Sequence, residues 1–268
     1  MTRTDLEKRL LGARDCDAAV AAIADFFTAH EIAFGHGTDN ASDEAFWVLR
    51  HVQRWRDDLD WSAPPGSRVA VAALDLAARR VESRKPLAYL TGEAWFAGLR
   101  FAVDERVLVP RSPLAEVIER EFAPWCALRP GDRVLDIGTG SGCIAIAVAH
   151  YCAGVLVDAT DVRYRVIVSN PPYVSAREMA ELPPEYRHEP ALALAGGPSG
   201  FEPVDRILGG ALARLAPDGC VFVEVGAGAE AFAAAHPGLR ATWLTFERGG
   251  DGVFALTAAE LEEFLRAG

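Results

Sequence analysis

The first third of the chain carries apolar residues at helical spacing, with no strand alternation before Tyr89. Ala18 to Phe27 reads as a compact apolar helix and Val69 to Val81 as an Ala-rich one. Between them, Ser42 is the expected cap of a helix with Phe46, Leu49 and Val52 toward a core and Arg50, Arg54 and Arg56 outward. Trp61 to Gly66 is a turn-rich break. Ala94 to Ala97 and Leu99 to Val103 look like a small hairpin around Gly98. Pro113 is expected to start a helix that runs to Phe122.

The second half has an α/β rhythm. Strands are expected over Arg133 to Ile137, Val155 to Thr160, Arg165 to Ser169 and Cys220 to Val225, with helices over Cys143 to His150 and Phe201 to Leu215. Two closely spaced final strands, Ala241 to Phe246 and Val253 to Leu256, suit an antiparallel pair. Thr257 caps a last helix, with Glu260 at the capping-box position. Strands alternating with helices imply a mostly parallel sheet covered on both faces. The pattern divides the chain into a helical domain over 1–86, a hairpin and linker over 87–112, and an α/β catalytic domain over 113–268.

Composition narrows the function. Half of the 268 residues are apolar, so a real core forms, and a net charge of -11 argues against tight duplex nucleic-acid binding. That charge suits a basic protein partner or a small molecule. The five cysteines (16, 126, 143, 152 and 220) show no C-x-x-C pair, and the six histidines are dispersed, so no metal cluster stands out. The start, MTRTDLEKRL, is not a signal peptide and no run reaches transmembrane length. A cytoplasmic address without membrane contact is the expectation.

Asp136-Ile137-Gly138-Thr139-Gly140-Ser141-Gly142 lies between an expected strand and helix. The glycines let the backbone turn tightly and let a ligand lie close, beside the free N–H groups of a helix start. Asp161, 23 residues beyond Gly138, falls at the tip of the next strand, where a carboxylate can accept from both hydroxyls of a ribose. A nucleoside ligand follows. Glycine spacing alone does not select it, but Asp136 would repel a pyrophosphate and can hold an ammonium or an ordered water. That tilts the reading to S-adenosylmethionine.

Val166-Ile167-Val168-Ser169 runs into Asn170-Pro171-Pro172-Tyr173. The prolines fix φ and donate nothing, so nearby carbonyls remain free to accept. Asn170 offers a donor and an acceptor, and Tyr173 a flat face. This suits gripping a planar group that bears an NH2. An amide or aromatic amine is a poor nucleophile, so transfer needs in-line approach at short range. Asn170 Oδ1 and the Pro171 carbonyl can both accept from the NH2, aiming it and stabilising the charge that develops on it. Arg111, stiffly held between Pro110 and Pro113, can brace the joint or approach the acceptor pocket. Glu224 ends a strand and can pair with Arg111 or face the cleft. Glu185, His188 and Glu189 fall in an irregular segment and are expected to shape a loop.

The stretches Val134 to Gly142 and Val168 to Val174 resemble the protein-glutamine methyltransferases. The resemblance covers nearly the whole chain. It implies a Rossmann-like class I S-adenosylmethionine-dependent methyltransferase sheet, an N-terminal helical domain that helps bind the protein substrate, and a small β-hairpin joint. It also implies S-adenosylmethionine as cofactor and S-adenosylhomocysteine as product. Asp136, Gly138, Thr139, Gly140, Gly142, Asp161 and Asn170 would hold the cofactor. Asn170, Pro171 and Tyr173 would be catalytic, with Pro172 and Arg111 joining them at the acceptor. Tyr89 to Leu99 and Val103 to Pro113 look like the group that modifies large-subunit ribosomal protein uL3. The release-factor group usually has Pro-Arg-Pro-Glu-Thr where this chain has Pro110-Arg111-Ser112-Pro113-Leu114.

One departure stands against the resemblance. Only Val162, Arg163 and Tyr164 separate Asp161 from the strand beginning at Arg165, where the family has a helix, a further strand and a loop that supplies adenine contacts. Three residues reach ~10 to 14 Å, whereas returning along a strand takes roughly 17 Å. The expected strands cannot be joined in the expected topology. Residues are missing from the sequence, or the segment is truly deleted, or the strand assignment is wrong. Besides glutamine methylation in uL3, three functions therefore stay open: the release-factor reaction, methylation of an adenine or guanine amino group, and a non-catalytic ribosome-associated module.

Overall fold

The computed structural model describes residues 1–157 and 163–267. Asp161 lies outside the described residues. The chain forms two compact units, one of Met1–Ala94, Ala102–Val109 and Pro183–Glu189, the other of Trp95–Phe101, Pro110–Leu182 and Pro190–Gly268.

The first unit is helical: α1 (Arg3–Leu11), α2 (Cys16–Ala29), α3 (Ala41–Val52), α4 (Ser67–Ser83) and the short α5 (Leu87–Thr91). Leu6, Leu10, Ile23, Phe27, Val48, Leu49 and Leu74 pack into one core. The cap of α3 is Asn40, not the expected Ser42, because the extended Asn40 accepts from the Asp43 N–H while Ser42 already lies in the first turn. Phe46 is 40% exposed rather than buried and leans on Trp61, ring centroids 5.3 Å apart. Arg80 is fully buried, donating to Glu44 at 2.6 Å and to the Ala33 carbonyl at 2.9 Å. Glu185 accepts from Ala33 N and Arg84 Nη1, each at 3.1 Å, and Glu189 accepts from Val109 N at 3.1 Å. Those two carboxylates sew Pro183–Glu189 into this unit. His188 sits between Glu105 at 3.3 Å and the Ser83 carbonyl at 3.1 Å.

β1 (Glu93–Phe96) and β2 (Leu99–Ala102) form the hairpin, and Ala97 and Gly98 both take positive φ, as a tight two-residue turn requires. In the second unit α6 (Leu114–Glu119) stops short of Phe122. Glu121 and Phe122 adopt φ of 53° and 64°, which turns Phe122 into the core against Phe222 at 5.1 Å. There follow β3 (Arg133–Ile137), α7 (Cys143–Tyr151), β4 (Leu156–Val157), β5 (Tyr164–Ser169), β6 (Val174–Ser175), α8 (Ala176–Glu181), α9 (Ala191–Leu194) and β7 (Ala195–Gly197). The chain ends with α10 (Glu202–Ala211), β8 (Leu215–Glu224), α11 (Ala229–Ala235), β9 (Thr242–Trp243), β10 (Val253–Thr257) and α12 (Ala258–Ala267).

The six-stranded order is β4-β3-β5-β8-β10-β9, with β4, β3, β5 and β8 parallel and β10 antiparallel to both its neighbours. Val221 and Val223 face the α10 side and Phe222 the opposite side, toward Phe122 and Trp125, so helices cover both faces as expected. All three are fully buried, and each contributes roughly 1.5 to 3 kcal/mol of transfer free energy. β8 begins at Leu215, five residues before the expected strand, because Leu215 pairs with Tyr164 across an irregularity that precedes the Val166–Cys220 pair. The helix expected to reach Leu215 ends at Ala211, and β9 keeps only two residues of the expected six.

Of the expected strand Val155 to Thr160, Leu156–Val157 are seen as β4, and residues 158–160 and the start of the short connection lie outside the described residues. Val157 and Val166 both stand level with Val134, on opposite sides of β3. Six residues separate Val157 from Tyr164 in the sequence. The strand order that those few residues seemed to forbid is kept. A parallel crossover normally takes a dozen residues or more.

Candidate functional site

The glycine loop and Asn170–Tyr173 leave neighbouring strand ends. Ile137 pairs with Ser169, the last residues of β3 and β5. Ser169, fully buried, donates its hydroxyl to the Ile137 carbonyl at 2.7 Å, which locks the two ends together just before each motif begins. Among the described residues, a Cβ added to Gly138 would meet only the Asn170 carbonyl, at 4.0 Å. The cleft between the motifs is thus walled by backbone, which fits the close approach of a ligand.

Gly138, Gly140 and Gly142 take φ of 78°, 54° and 82°, a left-handed conformation that glycine adopts without strain. The Thr139 hydroxyl donates to the Asp136 carbonyl at 3.0 Å, and Gly142 N donates to the Thr139 carbonyl at 2.8 Å, so the turn closes on itself. Asp136 points to the α7 side of the sheet, where Oδ2 accepts from Ala145 N at 3.2 Å and caps the first turn. Its Oδ1 is buried and has no hydrogen-bond partner among the described residues. Burial pushes the carboxyl up to about 6, against the opposing pull of Ala145 N and Thr139. An orphaned carboxylate oxygen beside a glycine cradle fits the ammonium-bearing end of S-adenosylmethionine and disfavours a pyrophosphate.

Asn170 is half-buried, and its Nδ2 donates to the Arg111 carbonyl at 3.4 Å. Only the amide NH2 can serve a carbonyl, so this contact fixes the amide orientation and leaves Oδ1 as the acceptor for another group. Tyr173 donates its hydroxyl to Glu224 Oε1 at 3.0 Å, and Ser112 donates to Glu224 Oε2. Glu224 is 4% exposed, and burial raises its carboxyl to about 7, against the opposing pull of Ser112, Tyr173 and the Arg111 charge. The Tyr173 ring and backbone are clasped by glycines. A Cβ would stand 2.7 Å from the ring at Gly226, 2.8 Å from Cα at Gly196 and 2.5 Å from the carbonyl oxygen at Gly200. The β6–β7 ladder, Val174 with Ala195 and Ser175 with Gly197, holds the chain immediately downstream.

Pro171 and Pro172 border a mainly apolar groove of about 460 Å³ that runs from Gly138 over Ile137, Leu135 and Ile167 to Ile207 of α10. Leu135 and Ile137 belong to a central parallel strand yet are only half-buried. Buried parallel strands are normally covered on both faces, so the groove marks a face left open among the described residues.

The structure thus gathers Asp136, Gly138, Thr139, Gly140 and Gly142 on one side of a cleft and Asn170, Pro171, Pro172 and Tyr173 on the other, with Arg111 beneath Asn170. Sequence reading missed Ser112 and the glycines 196, 200 and 226. The crowded Gly196-Gly197-Pro198-Ser199-Gly200 run was the one local signal available.

No family model matches the chain. A ribosomal protein uL3 glutamine methyltransferase of Bordetella pertussis is 42% identical, over 87% of this chain and 91% of that protein. Proteins of the same name from Xylella fastidiosa and Xanthomonas campestris are 39% and 40% identical, over 88% and 86% of this chain and 87% of each relative. A solved release-factor-specific protein-(glutamine-N5) methyltransferase from Alicyclobacillus acidocaldarius is 31% identical, covering 59% of this chain and 98% of that one with a TM-score of 0.37. The alignment to the Bordetella protein spans 274 positions, whereas 87% of 268 residues is about 233. At least some 40 positions of that relative therefore have no counterpart here.

Proposed function

The chain belongs to the ribosomal protein uL3 glutamine methyltransferase family, and from that premise we propose that it transfers a methyl group from S-adenosylmethionine to the N5 side-chain nitrogen of a glutamine in ribosomal protein uL3. The observation that carries this reading is the locked pair of strand ends, which sets Gly138 and Asn170 on one cleft.

When bound, S-adenosylmethionine supplies an electrophilic methyl carbon. The chain's residues do the rest. Gly138, Thr139, Gly140 and Gly142 would cradle the cofactor, Asp136 Oδ1 would accept from its ammonium or an ordered water, and Asp161 would hold its ribose. Asn170 Oδ1 and the Pro171 carbonyl would each accept from the glutamine NH2. Two acceptors on one nitrogen aim it and stabilise the positive charge that grows there. Proton loss follows transfer, so no strong general base is required. Pro172 and Tyr173 would pack on the planar amide. The helical domain expected over residues 1–86 would contribute to binding the protein substrate. A net charge of -11 favours encounter with a basic ribosomal protein.

A second reading, a binding module without transfer, is favoured by the short crossover alone, because the family's adenine contacts lie in the segment this chain lacks. Offering purified uL3, release factor and DNA separately with labelled methyl donor tests the first reading. Label on uL3 alone supports it. Calorimetry with S-adenosylmethionine tests the second, since a chain that does not bind the cofactor cannot transfer from it.

A further inference from the structure

Resting on that functional reading, we infer that Glu224 is a positioning residue of the acceptor pocket, closing a ring of contacts that fixes both ends of Asn170–Tyr173. From Asn170 the ring passes through its Nδ2 to the Arg111 carbonyl at 3.4 Å and on to the adjacent Ser112. The Ser112 hydroxyl donates to Glu224 Oε2, and Glu224 Oε1 accepts from the Tyr173 hydroxyl at 3.0 Å. Pro172 and Pro171 return the chain to Asn170.

Each member has a rigid support. Glu224 is the last residue of β8 and pairs with Val253, while its neighbour Val223 pairs with Ser169. Ser112 Oγ also accepts from Leu114 N at 3.1 Å, which ties the turn to the start of α6. A Cβ at Gly226 would stand 2.7 Å from the Tyr173 ring, so the turn after β8 lies close against it. A tyrosine has two side-chain torsions, so a hydroxyl anchor and a ring stop together leave it one position.

Packing alone does not explain the residue. A carboxylate 4% exposed at a strand end costs desolvation that an apolar side chain of similar volume would avoid. What the carboxylate provides, and an apolar side chain cannot, is two acceptor oxygens that reach two separate hydroxyls at once. One belongs to the acceptor motif and the other to the turn that orients Asn170.

The test uses the full chain with S-adenosylmethionine and uL3, comparing wild type, Glu224→Ala, Glu224→Gln, Tyr173→Phe and the double variant Tyr173→Phe/Glu224→Ala. Turnover, both KM values and the cofactor Kd are measured for each. Glu224→Ala lowers turnover roughly ten- to hundredfold while the cofactor Kd stays within about twofold. The double variant is no slower than the slower single, because both substitutions break one bond. Glu224→Gln recovers part of the loss, since its amide oxygen still accepts from Tyr173. Additive losses, unchanged turnover in Glu224→Ala, or a cofactor Kd that weakens in step with turnover overturns the assignment. If Glu224→Ala does not fold, Glu224→Met, which fills a similar volume without an acceptor for Tyr173, takes its place in the same comparison. No transfer by the wild-type chain refutes the functional reading itself, whereas wild-type transfer with additive losses refutes only the role of Glu224.

Discussion

A Cβ on Gly226 would stand 2.7 Å from Cε2 of Tyr173, so the ring and the turn after β8 fit together only because residue 226 has no side chain. Gly226 also holds φ of 53°, where an alanine is strained by about 1 to 2 kcal/mol. Gly226→Ala is expected to lower the melting temperature by several degrees and turnover by more than the melting shift explains. A thermal scan beside a turnover assay checks this. Unchanged turnover would separate the Tyr173 ring from the pocket.

Asn170 bonds to Arg111 through Nδ2, which leaves Oδ1 able to accept from another group. Asn170→Ala removes one of two acceptors for the developing charge, so turnover should fall roughly a hundredfold or more. Cofactor affinity should change far less. A parallel loss of turnover and of cofactor binding by calorimetry would place Asn170 at the cofactor alone.

Asp136 carries a carboxyl raised from 3.8 to about 6 by burial. Below that range the free protein holds a proton there. A cationic group arriving beside Oδ1 favours the ionised form, so cofactor binding at pH 5.5 should release a proton. Calorimetry in two buffers of different ionisation enthalpy reads this release, and Asp136→Asn should abolish it. Identical enthalpies in both buffers for the wild type would argue that Oδ1 meets no cation.

Glu224 is raised from 4.5 to about 7, so the folded state binds its proton more tightly than the unfolded chain. Its contribution to stability is fully present below pH 4.5 and is lost as pH rises through 7. The charge of Arg111 opposes the shift, as do the bonds from Ser112 and Tyr173, while Asp251 adds to it. Glu224→Gln removes this dependence and should gain on the wild type between pH 5 and 8 by about 3 kcal/mol at most. Denaturant melts at the two pH values measure it. A gain in stability joined to a loss of turnover would mark a group kept for the site at a cost to the fold.

Local spacing made much of this molecule legible. A strand, three alternating glycines and a helix start are contiguous, so the glycine loop could be read directly from Asp136 to Gly142. The tip of β5 was equally plain, because Val166 to Val168 run straight into Asn170. The capping box also needed only four residues: Thr257 and Glu260 exchange the expected bonds at 2.8 and 3.3 Å. Contacts across the chain were not legible. Ser112 meets Glu224 across 112 positions, and no periodicity reports such a pairing. The Tyr173 clasp depends on Gly196, Gly200 and Gly226, whose roles follow from close approach in space.

The most direct test of glutamine methylation is mass mapping. The full chain is incubated with S-adenosylmethionine and uL3, and the product is digested and fragmented to locate added methyl groups. A single methyl on one glutamine side-chain nitrogen is the predicted result, absent with Asn170→Ala. An unmodified uL3, or a methyl placed on any residue other than glutamine, would contradict it.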